Sequence, residues 1–217
     1  MEDRLEIFLT AQEISIIVTR LAEELRSAYG YGKQALPAPG RSQVAAGEPL
    51  VVISILSGAF VFTADLIRAF ARPVELDFMR LTSYGRRDIP AQSVSLLEEI
   101  TIDIKDREVL IVEDIVDRGL TLMAAREHLE AKGPADIKVC SLLLRRAGAG
   151  LGSGGGKTAS VDFVGKRLSE GFVVGYGMDF KERYRELPGL YMLTASSSAA
   201  GSPLDSDINK DGGDCGS

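Results

Sequence analysis

Val109-Leu110-Ile111-Val112-Glu113-Asp114-Ile115-Val116-Asp117-Arg118-Gly119-Leu120-Thr121 decides how this chain is read. An apolar run leads into two adjacent carboxylates. Two more apolar residues, a third carboxylate, a glycine and a hydroxyl follow, and a helical pattern begins at once. The string predicts a buried strand ending in acids, a tight turn and a helix N-terminus. Vicinal carboxylates at a strand end can accept hydrogen bonds from two neighbouring ribose hydroxyls, or sit beside a magnesium ion that those hydroxyls ligate. The turn at 117–121 offers backbone N–H groups at the positive end of a helix dipole, where a phosphate gains from both. Gly119 permits a positive φ, Thr121 adds a hydroxyl, and Asp117 points into the same crevice. The plain alternative is a solvated strand end. The agreement of strand, acids, glycine and helix start favours a site that grips a sugar phosphate.

Working outward, Leu50 to Ile55 reads as a buried strand broken by Gly58. Val61, Phe62, Leu66, Ile67 and Phe70 then trace a helix that must end before Pro73. Val74 to Leu81 reads as a second strand, 82–93 as a polar, turn-rich segment, and 94–105 as a hairpin-like pair with Ile100, Ile102 and Ile104 alternating. A helix over 120–132 is stopped by Gly133-Pro134. Ile137 to Leu144, Val161 to Val164 and Phe172 to Tyr176 are further strands. Ahead of these, 10–29 reads as an amphipathic helix with Thr10 as N-cap and Glu13 three residues on, and 30–49 as a Gly- and Pro-rich loop. Strand alternating with helix, with long apolar strands, predicts an α/β fold: a mainly parallel sheet covered on both faces. Residues 1–195 are read as one domain. Residues 196–217, rich in Ser, Gly, Ala and acids, are read as a flexible, disordered acidic tail.

The 217 residues are enough for one substantial core, and 45% hydrophobic with 26% charged residues is an ordinary globular composition. The net charge of −6 argues against a nucleic-acid partner held by nonspecific electrostatics. No segment approaches the roughly 20 apolar residues of a membrane span. Glu2, Asp3 and Arg4 precede no long apolar stretch, and Cys140 and Cys215 lie in unlike surroundings, so the expectation is a cytoplasmic chain with no signal peptide and no disulfide.

The central string resembles the signature of the type I phosphoribosyltransferases, and within them the hypoxanthine-guanine phosphoribosyltransferases. Four further segments carry the resemblance. Leu56-Ser57-Gly58 and the residues up to Leu66 resemble the pyrophosphate loop and its helix. Val74 to Met79 with Ser83-Tyr84-Gly85 resembles a strand and mobile lid loop. Ser141 to Arg146 resembles the purine-reading segment. Phe172-Val173-Val174-Gly175-Tyr176-Gly177-Met178-Asp179-Phe180, with Tyr184-Arg185-Glu186-Leu187, resembles the base-stacking strand and its exit.

The resemblance implies the type I phosphoribosyltransferase fold with a small hood. It implies transfer of a ribosyl phosphate from phosphoribosyl pyrophosphate to N9 of a purine base, hypoxanthine or guanine, giving pyrophosphate and a purine nucleoside monophosphate. On its pattern Asp117 accepts the purine N7 proton, and Glu113 and Asp114 hold the ribose hydroxyls directly or through Mg2+. Arg118, Gly119, Leu120 and Thr121 hold the 5′-phosphate. Ser57, Gly58 and Arg185 meet pyrophosphate, the peptide Leu56–Ser57 being cis. Phe172 stacks on the base, Val173 bonds its edge, Ile115 forms the opposite wall, Arg145 reads it, and Asp179 ligates magnesium. Ser83 and Tyr84 sit on the lid. A homodimer or homotetramer is implied as well. Taken alone, Phe172 would read as a core aromatic and Asp179 as a surface acid.

Three positions depart from that pattern: Ser57 replaces a Lys or Arg, Arg118 a Ser or Thr, and Arg145 the lysine that meets the purine 6-oxo group. Arg145 remains a donor, but its planar fork is unlike an ammonium. These departures leave two alternatives open: a non-catalytic nucleotide-binding or regulatory homologue, and a transferase with altered base preference. Two motifs are look-alikes. Gly154 to Thr158 fails as a P-loop because Leu151 stands where the first glycine belongs, and Asp207 to Gly212 is half a calcium loop. His128, among charged residues on a helix, is assigned no role.

Overall fold

The computed structural model describes residues 4–31, 48–84, 93–145 and 160–194. Nine strands and three helices follow in the order β1 (Arg4–Leu9), α1 (Ala11–Ala28), β2 (Leu50–Leu56), α2 (Phe60–Phe70), β3 (Val74–Tyr84), β4 (Ser93–Glu98), β5 (Glu108–Val116), α3 (Leu120–Glu130), β6 (Asp136–Arg145), β7 (Phe163–Leu168), β8 (Phe172–Val174) and β9 (Leu190–Thr194) among the described residues. Six strands form one sheet in the order β4-β3-β2-β5-β6-β7, parallel except for the antiparallel edge strand β4. A second, three-stranded antiparallel sheet, β1-β9-β8, forms the hood.

Side chains alternate across a strand, and the core obeys that rule. Leu50, Val52, Leu110, Val112, Cys140 and Leu142 pack with Ile14, Val18 and Leu21 of α1 and Phe62 and Leu66 of α2 on one face. Val51, Ile53, Val109, Ile111, Ile137 and Val139 pack with Leu122, Ala125 and Leu129 of α3 on the other. The central strands β2, β5 and β6 are apolar on both faces along most of their length because both faces are covered. Thr10 caps α1 as expected: its hydroxyl accepts from the Glu13 N–H at 3.2 Å, and the Glu13 carboxylate accepts from the Thr10 N–H at 2.8 Å.

Several boundaries differ from the sequence expectation. Strand β5 does not end at the acids. It continues to Val116, because Ile115 and Val116 keep their register with Leu143 and Leu144 of β6. Polar residues 82–84 extend β3 and pair with β4 at the sheet edge, so their polarity reported exposure and not a turn. Segment 94–105 is no hairpin: only Ser93–Glu98 is a strand, and its partner is β3. Ile100 and Ile104 are buried beside α3 without strand structure. The strand expected at 161–164 starts at Phe163 and runs on to Leu168. The strand expected to reach Tyr176 stops at Val174, where Gly175, Tyr176 and Gly177 turn to positive φ. Strands β1 and β9 had no counterpart in the sequence reading. The 196–217 tail, the look-alikes at 154–158 and 207–212, and nearly all of the 30–49 loop lie outside the described residues.

One acid fastens segment 99–105. The Asp77 carboxylate accepts from the backbone N–H of Thr101 at 2.6 Å, of Ile102 at 3.0 Å and of Phe78 at 2.8 Å. Burial alone would raise its pKa, but these hydrogen bonds outweigh it and hold the carboxyl below its ordinary value. A folded-state pKa below the unfolded one contributes stability above the unfolded value, near 4, that is lost as pH falls. Asp77→Ala is therefore expected to destabilise by about 1–3 kcal/mol at neutral pH. The gap in melting temperature between the two proteins should close on acidification below about pH 4. A gap that is constant with pH would show that the carboxylate charge is not what holds the segment.

Candidate active site

The C-terminal edge of the parallel sheet carries two adjoining cavities, as expected for ligand sites of open α/β sheets. The smaller, of about 260 Å³, is lined by Glu113, Ile115 and Val116 at the end of β5, the turn Asp117-Arg118-Gly119, and Leu120, Thr121 and Leu122 opening α3. Gly119 stands at φ 74° as the N-cap of α3, a left-handed conformation that a side chain would strain. Neither a side-chain cap nor an acidic residue occupies the first turn of α3, so its N–H groups are left for an anion. Arg118 is exposed at this turn.

The larger cavity, about 470 Å³, draws on six strands and three loops. Among its lining residues are Ser57, Gly58, Arg80, Asp114, Ile115, Asp117, Arg145, Phe172, Val173, Asp179 and Arg185. Ile115 and Asp117 line both cavities and join them. The loop after β2 enters through a cis peptide at Leu56–Ser57. Gly58 lies so close to Asp114 that a Cβ there would fall 1.8 Å from Oδ2 of the carboxylate. Phe172, far from being a core aromatic, is 48% exposed on the hood. It packs edge-on against Phe180, 5.6 Å between ring centroids.

Charges in this cavity are mixed and largely paired. Arg185 donates from Nη1 to the Gly177 carbonyl at 2.7 Å, and its Nη2 lies 2.8 Å from Asp179 Oδ1. Arg145 Nε lies 3.2 Å from Asp117 Oδ1. Glu113 is 6% exposed and, of the two cavities, lines the smaller one. Burial, with Asp114 beside it, pushes its carboxyl well above the usual carboxylate range. Among the described residues no group of three or more His, Cys, Asp or Glu side chains is arranged to hold a metal by itself. Ser83 and Tyr84 end β3, and the segment beyond them, including Gly85, lies outside the described residues. Sequence reasoning missed Arg80, Leu81, Thr82 and Leu97 of the cavity wall; it read a strand at 74–81, a turn-rich segment at 82–93 and a hairpin at 94–105, not the β3–β4 pairing that brings them there.

With that geometry in place, comparison with known proteins is decisive. The Phosphoribosyl transferase domain family matches residues 5–181. A hypoxanthine-guanine phosphoribosyltransferase from Aquifex aeolicus is 34% identical over 88% of this chain and 95% of its own length. The chain belongs to the hypoxanthine-guanine phosphoribosyltransferase family. The enzyme of that name from Mycobacterium avium is 36% identical over 83% of this chain and 81% of its own. Among solved structures, a hypoxanthine-guanine phosphoribosyltransferase from Bacillus anthracis superposes with a TM-score of 0.71 at 31% identity, covering 89% of this chain and all of that one. A Trypanosoma cruzi hypoxanthine phosphoribosyltransferase, solved with the product IMP, superposes with a TM-score of 0.68 at 33% identity over 89% and 94% of the two chains. This phosphoribosyltransferase has the mostly parallel six-stranded sheet of its family. None of its described helices is long and apolar enough to cross a membrane.

Proposed function

We propose that this phosphoribosyltransferase moves the 5-phosphoribosyl group of phosphoribosyl pyrophosphate to N9 of a 6-oxopurine, hypoxanthine or guanine, and so salvages purines in the cytoplasm. The observation that carries the reading is the pair of cavities joined at Ile115 and Asp117. One end offers uncapped helix N–H groups to a phosphate. The other gathers a glycine loop, three acids and an exposed aromatic around a space of about 470 Å³.

The chemistry follows from those placements. The bond from the anomeric carbon to pyrophosphate breaks and the bond to N9 forms, through a sugar that carries positive charge between the two events. Asp114 and Asp117, which line the larger cavity, stabilise that charge. Asp117 accepts the N7 proton, so the purine reaches N9 attack without becoming cationic. Arg118, Gly119, Leu120 and Thr121 hold the 5′-phosphate. Ser57, Gly58 and Arg185 receive the pyrophosphate. Phe172 stacks on the base, and Val173 and Ile115 bound it. Glu113, buried at the end of β5, hydrogen-bonds a ribose hydroxyl. Ser83 and Tyr84, at the end of β3, belong to the lid that closes and excludes water.

The donor set suits Mg2+, which prefers hard oxygen ligands and takes one or two protein carboxylates plus oxygens of the substrate. Asp179, with Asp114 and Glu113, would hold it, and it would neutralise charge on the pyrophosphate. In the present geometry Asp179 is paired with Arg185. The assembly we infer is a homodimer or homotetramer, which sedimentation would establish.

A spectrophotometric assay with phosphoribosyl pyrophosphate, Mg2+ and each base in turn tests the reading. Turnover of hypoxanthine and guanine is the expected result. Nucleotide binding with no turnover of any base would replace it with the regulatory alternative.

A further inference from the structure

Arg145 ends β6 and reaches in two directions. Its Nη1 donates to the carbonyl of Gly171 at 2.9 Å, on the residue before Phe172 in the hood. Its Nε approaches Asp117 Oδ1 at 3.2 Å, on the turn that opens α3. The side chain is 22% exposed, whereas that of Asp117 is 57% exposed. The Nε atom is buried and, although close to the carboxylate, has no hydrogen-bond partner among the described residues. A buried N–H without an acceptor costs free energy until one arrives. Arg145 lines the larger cavity together with Asp117, Phe172 and Val173.

We propose that Arg145 is a two-ended strut that positions Asp117. It rests on the transferase reading above. The guanidinium spans the gap between the hood and the Asp117 turn, with Nη1 fixed on the Gly171 carbonyl and its charge set against the Asp117 carboxylate. The rigid planar fork is what permits two fixed contacts in opposite directions, and a lysine, a single point charge on a flexible stem, does not reproduce it.

Arg145→Lys and Arg145→Gln test the strut in the full chain, with thermal melts confirming the fold of each. Arg145→Lys keeps a cation for the 6-oxo group but not the bracing, so kcat should fall about tenfold while KM for hypoxanthine changes little. Arg145→Gln keeps a donor for the Gly171 carbonyl and loses the charge facing Asp117, and its kcat should fall at least as far. Combined with Asp117→Asn, neither change should lower kcat further, because the group they position is gone. Full kcat in Arg145→Lys, or equal losses with and without Asp117, overturns the strut and leaves Arg145 a base reader only. A wild-type chain inert toward every base refutes the transferase reading instead.

Discussion

Asp117→Asn is expected to lower kcat by about 10²–10⁴-fold, the span associated with a positioned proton acceptor. The substitution keeps the shape and one carbonyl oxygen, so the turn and the 5′-phosphate contacts at Arg118 to Thr121 should survive. What disappears is the capacity to take up a proton and the negative charge facing the sugar. Asp117 is suited to both roles because it lines the two cavities at their junction and is 57% exposed, within reach of a bound ligand. Nucleotide affinity measured by calorimetry should therefore stay near its wild-type value while single-turnover rates collapse. If kcat is unchanged, some other group accepts the proton, and the assignment of Asp117 fails even where the fold and phosphate site stand.

The parts of the molecule that were legible before coordinates are those with short-range causes. The apolar runs of β2, β5 and β6 could only be doubly covered strands, and Thr10 with Glu13 announced the start of α1. The turn opening α3 was readable because Asp117 to Thr121 are contiguous, so strand end, glycine and helix start sit in one window. The hood was not. Strand β1 has only Leu9 buried, and its partner β9 is nearly the whole chain away, with Arg4 opposite Thr194. Exposed short strands carry a weak alternation signal, and pairing over that separation leaves none in a local window. The ribbon β3–β4 failed for the converse reason: Thr82 and Ser83 look like turn residues but pair with Ser95 and Val94 at an open edge. The same limit governs the site. Resemblance could nominate Arg145, Asp117 and Phe172 singly, yet the contact of Arg145 with both Asp117 and Gly171 arises only when β6, the α3 turn and the hood are folded together.

The closest approach in the site yields the second large effect. Gly58→Ala is expected to cut kcat/KM for phosphoribosyl pyrophosphate by about 10²-fold, the penalty of moving a reacting group by about an ångström. An added Cβ would stand 1.8 Å from Asp114 Oδ2 and 2.6 Å from its Cγ. The loop cannot back away, because the Gly58 carbonyl already abuts Gly177, where a Cβ would come within 2.6 Å of it. Asp114 must yield instead. Its Oδ1 accepts from the Ile115 N–H at 2.8 Å, so rotation breaks that bond and takes the carboxylate from the wall it shares with Ile115 and Asp117. Loss of one such hydrogen bond is worth about 0.5–1.5 kcal/mol, a melting shift of a few degrees at most in a chain this size. Activity should thus fall far more than stability. The mechanism predicts a specific non-additivity: once Asp114→Ala has removed the carboxylate, adding Gly58→Ala should cost little more. Equal losses in the two backgrounds would mean that the added methyl acts on the pyrophosphate loop itself and not through Asp114.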